Sequence, residues 1–366
     1  MAWYHLPYVL HPLAGSDWQT FWRMYRENGP YDRRSALSRV AAIASVTVRK
    51  PFDLREHARH RDKILSHEFS EPPLFIIGHW RSGTTHLHNL LSKDPRFAYL
   101  TFLQTVMPYN YLRPLRNVKR IISAVMPKDR EMDQVELSID TPQEEEMALA
   151  AMNDLAFFRC FYFPHRAEEH FRKSVLLEGI SDQERQDFAE TYDFLLRKLS
   201  YANQGKPLLL KNPANTARIP FLREQFPGAK FVHIVRNPLQ VYGSACNLWP
   251  YMFKSFAWTD WTEFQKSEAI IQFYREMMKA HLEQRKELPS DCLVEVRFDD
   301  LVKSPIKTVS SIYDRLGMEF SDAARQNIQD HLDATSHHSA KKHKSDPELE
   351  ARLRDEWDFA FDHWGY

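Results

Sequence analysis

Pro73-Leu-Phe-Ile-Ile-Gly78-His-Trp-Arg81-Ser82-Gly83-Thr84-Thr85-His-Leu-His-Asn-Leu-Leu-Ser92 is the stretch on which the reading of this 366-residue chain turns. Leu74 to Ile77 are apolar without alternation, and Gly78 follows, the pattern of a strand buried on both faces. Gly78 and Gly83 bound a tight loop, and after it Leu87, Leu90 and Leu91 recur at helical spacing. Strand, Gly-x-x-x-x-Gly loop and helix together make an anion cradle, because loop N–H groups and a helix N-terminus converge on one point. The nucleotide-triphosphate form of this loop places a lysine after the second glycine. Here that position is Thr84, and the cation has moved into the loop as Arg81. The swap argues against a Mg-nucleotide site, where the lysine reaches the terminal phosphates. It fits an anion gripped by backbone amides, by the hydroxyls of Thr84 and Thr85, and by a flanking arginine.

A second buried strand with a basic end lies further along, Phe231-Val-His-Ile-Val-Arg236-Asn-Pro-Leu-Gln-Val-Tyr-Gly-Ser244. Arg-Ser-Gly-Thr-Thr after an apolar strand resembles the 5′-phosphosulfate loop of sulfotransferases that use 3′-phosphoadenosine 5′-phosphosulfate (PAPS). The Arg236-Asn-Pro segment, with Ser244 eight positions on, resembles the 3′-phosphate motif of the same family. The resemblance runs by spaced motifs over about residues 72 to 320 and leaves the first 70 unexplained. It implies an α/β fold with a mainly parallel central sheet flanked by helices, the P-loop-like sulfotransferase fold. Helices added at both ends divide the chain into a helical extension (residues 1–70) and the sulfotransferase domain (71–366). It further implies PAPS as co-substrate held by Arg81, Ser82, Gly83, Thr84, Thr85, Arg236 and Ser244, with no metal required.

Pro207-Leu-Leu-Leu-Lys211 is another buried strand with a lysine at its C-terminal edge, where open α/β sheets collect ligands. By the resemblance, Lys211 matches the lysine facing the transferring sulfuryl group. The positions after it, Asn212, Pro213 and Asn215, offer no histidine base, and the site where protein-tyrosine sulfotransferases keep a carboxylate holds Phe102 and Leu103. The base role therefore moves to Glu144, Glu145 or Glu146. On propensity alone, Thr141-Pro-Gln-Glu-Glu-Glu is an N-cap, a proline in the first turn and acids that favour the helix dipole. The segment Pro142-Gln-Glu-Glu-Glu-Met-Ala-Leu149 also resembles one found in many bacterial-type sulfotransferases, and Glu144, nearest the capped end, is the first choice as base. The last strand, Cys292 to Phe298, resembles the family's Tyr-Glu-Asp-Leu…Pro segment with Phe298 in place of tyrosine.

Composition sets the outer bounds. Apolar residues make up 43% of the chain and aromatics 13%, enough for a substantial core. Lys plus Arg equals Asp plus Glu at 49 each, so nothing global points to nucleic acid. The 17 histidines show no ligand spacing, and Cys160, Cys246 and Cys292 form no Cys-x-x-Cys pair, which fits a reducing compartment. The start lacks a signal-peptide pattern and no apolar run approaches the ~20 residues a membrane span needs, so a cytoplasmic enzyme is the expectation.

Several local expectations complete the reading. Trp18, Phe21, Trp22 and Tyr25, continued by Leu37, Val40 and Ile43, predict a helical layer packed on the core with a solvated basic face; an oligomer contact or a rim over an anionic cofactor is the alternative. Pro95 to Leu103 predicts a short strand, residues 147 to 165 a core helix, and the aromatic run 246 to 261 a pocket wall for a hydrophobic acceptor. Lys341, Lys342 and Lys344 stand in a polar tract that could reach a phosphate. The functional expectation is sulfuryl transfer from PAPS to the hydroxyl of a small or hydrophobic alcohol or phenol. A P-loop nucleotide kinase and a silent nucleotide-binding module are the alternatives.

Overall fold

A computed structural model describes residues 11–112, 119–120, 138–335 and 346–366; the lysines of the 341–344 tract and the first ten residues lie outside them. In chain order, the elements that matter are helices α1 (Trp18–Glu27) and α2 (Ala36–Leu65), strand β1 (Leu74–Ile77), and helices α3 (Thr84–Leu91), α4 (Glu145–Met152) and α5 (Asp182–Ala202). Strands β2 (Leu209–Lys211) and β3 (Lys230–Val235), helices α6 (Pro238–Phe256) and α7 (Glu263–Gln284), strand β4 (Leu293–Arg297) and helix α8 (Phe298–Lys303) follow. The chain forms two compact units. One comprises residues up to Phe69 with Leu100–Gly205 and Leu248–Gln265; the other comprises Ser70–Tyr99, Lys206–Asn247 and Lys266–Tyr366.

The second unit holds the sheet, four parallel strands in the order β2-β1-β3-β4. Register pairs Ile76 with Lys211, Ile77 with His233, and Val235 with Arg297. All four residues of β1 are buried, as the unbroken apolar run requires. Leu74 and Ile76 pack with Leu87, Leu90 and Leu91 of α3, and Phe75 stacks on Phe231 at 5.7 Å between ring centres. Because the strands are parallel, their C-terminal ends share one edge of the sheet. That edge carries Gly78, Lys211, Arg236 and Phe298, the residues that follow or end each strand.

The first unit is helical. Ser181 and Glu184 form a capping box that starts α5, and Asn203 to Gly205 close it with Gln204 and Gly205 at positive φ. Its inner charges are paired: Lys198 Nζ lies 2.6 Å from Glu56 Oε1 and donates to the Pro108 carbonyl, while Glu56 Oε2 accepts from the Leu112 N–H. Removing one partner of such a buried pair costs about 3–5 kcal/mol, so it ties α2 to α5. Trp258 is buried, stacks on His11 and donates to Ser38 Oγ.

Several local expectations are corrected. Residues 95–103 form no strand; Ala98 and Thr101 make single bridges, and a capping box between Thr101 and Gln104 starts a short helix at Phe102. The acidic helix is capped by Glu144, not Thr141, whose hydroxyl instead accepts from the Ser138 N–H. The helix expected over 147–165 stops at Met152, and a separate turn of helix covers Arg159–Tyr162. In the aromatic run, Trp249, Phe253 and Trp258 are core residues, packed with Phe161 or Tyr162, so the pocket-wall reading fails for them. Leu37 and Val40 point outwards at 63% and 61% exposure, so α2 does not turn them to the core.

Burial keeps several histidines neutral. It lowers His11 and His88 to about 3 and His79 to about 4. Each of these takes up its proton more readily in the unfolded chain, so stability is complete above about pH 6.5 and falls as pH drops below it, by about 1.4 kcal/mol per pH unit for each group. Melting temperatures measured at pH 7.5, 6 and 5 should therefore decline steeply through this window; a flat profile would contradict the buried neutral assignment.

Candidate active site

The loop after β1 is shaped by three positive-φ residues, Gly78, Arg81 and Gly83. A side chain at Gly83 would sit 2.3 Å from the Phe298 ring, and one at Gly78 would sit 2.5 Å from the Ile234 carbonyl oxygen. The glycines are thus required by contact as well as by conformation. Ser82 N–H closes the turn onto the His79 carbonyl, and α3 begins at Thr84, with Gly83 as its N-cap. Ser82 Oγ is buried without a hydrogen-bond partner. A buried orphan hydroxyl in a loop rimmed by amides is a donor waiting for an acceptor.

Basic side chains from both motifs meet here. Arg81 Nε donates to Ser244 Oγ at 2.8 Å, and Arg236 Nη1 donates to the Arg81 carbonyl at 3.2 Å. Arg236 also lies over the Phe298 ring at 4.4 Å and donates from Nε to Gln240 Oε1 at 3.0 Å. Burial, then the neighbouring Arg81 charge, pulls the Arg236 pKa down from its ordinary value. Residues 155 positions apart in sequence are in this way brought together at one end of the sheet.

Lys211 ends β2 with only 6% exposure, and the next residue, Asn212, bonds to β1 through its N–H to the Ile76 carbonyl. Asn212 Oδ1 then caps the following turn. His88, one turn into α3, is kept neutral by burial and then by the positive charge of Lys211. His88 and Lys211 therefore share one environment at the sheet edge.

Sequence reasoning missed a strut behind the loop. The Gly78 N–H donates to Thr216 Oγ1 at 2.7 Å, and the Thr216 carbonyl accepts from His281 Nδ1 at 3.2 Å. His281 packs against His233 at 3.9 Å between ring centres; His233 Nδ1 donates to Glu295 Oε2, which also accepts from Arg285. Burial lowers the pKa of both histidines, so each acts as a neutral Nδ1–H donor. No local pattern announces Thr216; only the fold brings it to Gly78. Thr216→Val leaves the Gly78 N–H buried and unpaired, which costs about 1–3 kcal/mol. We expect a correspondingly lower melting temperature, with Thr216→Ser close to wild type. An unchanged melting temperature in the valine variant would show that the strut carries nothing.

The three glutamates belong to the helical unit. Glu144 is the half-buried N-cap of α4. Glu145 is fully buried and accepts from the Tyr192 hydroxyl at 2.8 Å. Glu146 is also buried and accepts from the Phe157 N–H.

A parallel sheet whose C-terminal edge carries a glycine loop, a lysine and paired arginines defines an α/β group-transfer enzyme of the P-loop-like class. The chain belongs to the sulfotransferase family: residues 72–322 match the family described as "Sulfotransferase family". It is 28% identical over 301 residues to the omega-hydroxy-beta-dihydromenaquinone-9 sulfotransferase Stf3 of Mycobacterium bovis and to that of Mycobacterium tuberculosis, covering 81% of this chain and 76% of each relative. Its fold is like those of the sulfotransferases STF9 from Mycobacterium avium and STF1 from M. tuberculosis H37Rv. For STF9 the TM-score is 0.70 at 19% identity, covering 92% of this chain and 88% of that one. For STF1 the TM-score is 0.65 at 18% identity, covering 91% and 88%. The chain is thus a sulfotransferase. No helix among the described residues is long and apolar enough to cross a membrane.

Proposed function

We propose that the enzyme takes its sulfuryl group from PAPS and transfers it to the hydroxyl of a hydrophobic small-molecule alcohol, the class to which the named acceptor of the mycobacterial relatives belongs. The observation that carries the donor assignment is the meeting of Arg81, Ser244 and Arg236 beside the loop. Two guanidiniums, a serine hydroxyl and the orphan Ser82 hydroxyl fit a donor with a phosphate at each end better than a single phosphate. In the proposed roles, the amides and hydroxyls of Ser82, Gly83, Thr84 and Thr85 hold the 5′-phosphosulfate with Arg81, while Arg236 and Ser244 hold the 3′-phosphate.

The acceptor oxygen attacks sulfur as the sulfur–oxygen bond to the donor phosphate breaks, and the acceptor proton passes to Glu144. Lys211 stabilises the charge that builds on the sulfuryl and bridging oxygens. Glu145 and Glu146 are the weaker candidates for the base, since each is buried with an oxygen already accepting a hydrogen bond. Calorimetry with 3′-phosphoadenosine 5′-phosphate (PAP), followed by labelled-sulfate transfer over a panel of long-chain, polyprenyl and phenolic alcohols, tests the reading. Micromolar PAP binding with transfer to at least one alcohol is expected. Failure to bind PAP would remove the donor assignment, and binding without transfer to any acceptor would favour a silent nucleotide-binding module.

A further inference from the structure

Helix α2 is amphipathic in the wrong sense for a purely structural surface helix. Its buried side is Ser38, Ala42, Val46, Glu56 and Ile64, and the buried Lys198–Glu56 pair fastens that side. At 3.6 residues per turn, the opposite side carries Leu37, Val40, Ala44, Val48, Leu54 and Leu65, together with Arg55 and Asp62. Most of it is apolar where solvent should select polar residues. Their exposures are high: 63% for Leu37, 61% for Val40, 67% for Val48, 59% for Leu54 and 41% for Leu65. Among the described residues only two other large hydrophobic side chains are exposed, Trp18 and Val302, and Trp18 lies against this helix with Lys50 Nζ 5.2 Å from its ring. Among the described residues, the exposed large hydrophobic side chains are thus concentrated on one helix.

Charge decides what covers it. Between residues 33 and 65 the exposed charged groups are Arg33, Arg34, Lys50, Arg55, Arg59, Arg61 and Lys63 against a single acid, Asp62, which lies 3.6 Å from Arg61; Arg34 in turn lies 3.7 Å from Asp32. A second copy docked face to face would bring two such cationic fringes together, and like charges disfavour that. An anionic bilayer surface complements them, taking the apolar stripe into the acyl boundary while arginines and lysines meet lipid phosphates and Trp18 sits at headgroup level. We propose that α2 is an interfacial helix that docks the enzyme onto anionic membranes. The inference goes beyond the sulfotransferase reading and does not depend on it, although a membrane-bound alcohol as acceptor would give the docking a purpose.

The test is co-sedimentation of the full chain with vesicles of phosphatidylcholine alone or with about one third phosphatidylglycerol. Binding to the anionic vesicles, weakened at 0.5 M salt, is expected, with little binding to the neutral ones. Arg55→Gln, Arg59→Gln and Arg61→Gln together should weaken it about a hundredfold, near fivefold per charge. Leu37→Gln, Val48→Gln and Leu54→Gln together should weaken it about tenfold or more. Both variants should keep wild-type circular dichroism, PAP affinity and transfer to a water-soluble alcohol, which separates this proposal from the donor assignment. Absence of binding to anionic vesicles overturns it. So does binding that neither variant reduces, or a dimer in sedimentation velocity that the glutamine triple variant dissociates, since the face would then belong to a second copy.

Discussion

Lys211→Met is expected to lower turnover in sulfuryl transfer by about 10²–10³-fold while leaving the fold and PAP affinity nearly intact. The side chain stands at the end of β2, beside the strand that leads into the glycine loop, and the residue is only 6% exposed. A cation so placed gains little from holding the desulfated product, whose two phosphates are proposed to lie on Arg81, Arg236 and Ser244. Its contribution rises as negative charge accumulates on the sulfuryl oxygens and the bridging oxygen, which is the condition for an effect on kcat and not only on KM. Methionine keeps the length and apolar stem of lysine, so sheet packing survives and the loss reads as lost charge. A second readout is independent of activity. Lys211 is one of the two causes that hold the His88 pKa down, so removing it should raise that value from about 3, as followed by NMR titration. Near-normal turnover in the methionine variant would take Lys211 out of the chemistry.

What could be read before folding, and what could not, follows from the range of the interactions involved. The strand at Leu74–Ile77, the strand at Lys230–Val235, the helix opened by Ser181 and the two basic motifs are all set by patterns within about ten residues, and each stands where the sequence placed it. Short-range patterns also misled where a partner from elsewhere decided the outcome. Thr141 has good capping chemistry, but its hydroxyl is taken by the Ser138 N–H and the helix starts at Glu145. The aromatic run near Trp258 read as a pocket wall because its periodicity is broken, yet its indole fills the helical unit's core and bonds to Ser38, 220 residues away.

The site divides along the same line. Arg81, Lys211, Arg236 and Ser244 could be proposed from the sequence because their neighbours in it are distinctive. Thr216, His281 and the Phe298 ring that fits against Gly83 could not, since each acts through contacts made only after the parallel strands are in register. The outward apolar face of α2 was partly visible as Leu37 and Val40, but a periodic stripe does not say which side of its helix meets the core. The buried Lys198–Glu56 pair and the Trp258 bond to Ser38 fix that.

Replacing the three consecutive glutamates one at a time by glutamine should give two kinds of result. Glu144→Gln is expected to lower kcat by about 10²–10⁴-fold, the range for loss of a general base, with an unchanged melting temperature. Glu144 caps α4 without a side-chain cap bond and is half-buried, whereas its two neighbours are enclosed. Glu145 and Glu146 are at 0% and 1% exposure, one accepting from the Tyr192 hydroxyl and the other from the Phe157 N–H. Glutamine keeps an acceptor oxygen for each of those bonds but adds a buried amide donor that needs a partner of its own. The expected cost is therefore in stability, about 1–3 kcal/mol, with kcat within a few-fold of wild type. Measuring kcat and melting temperature together separates a base from a buried scaffold carboxylate. If Glu145→Gln or Glu146→Gln instead abolishes turnover with the melting temperature unmoved, that residue is the base and Glu144 is a helix cap only.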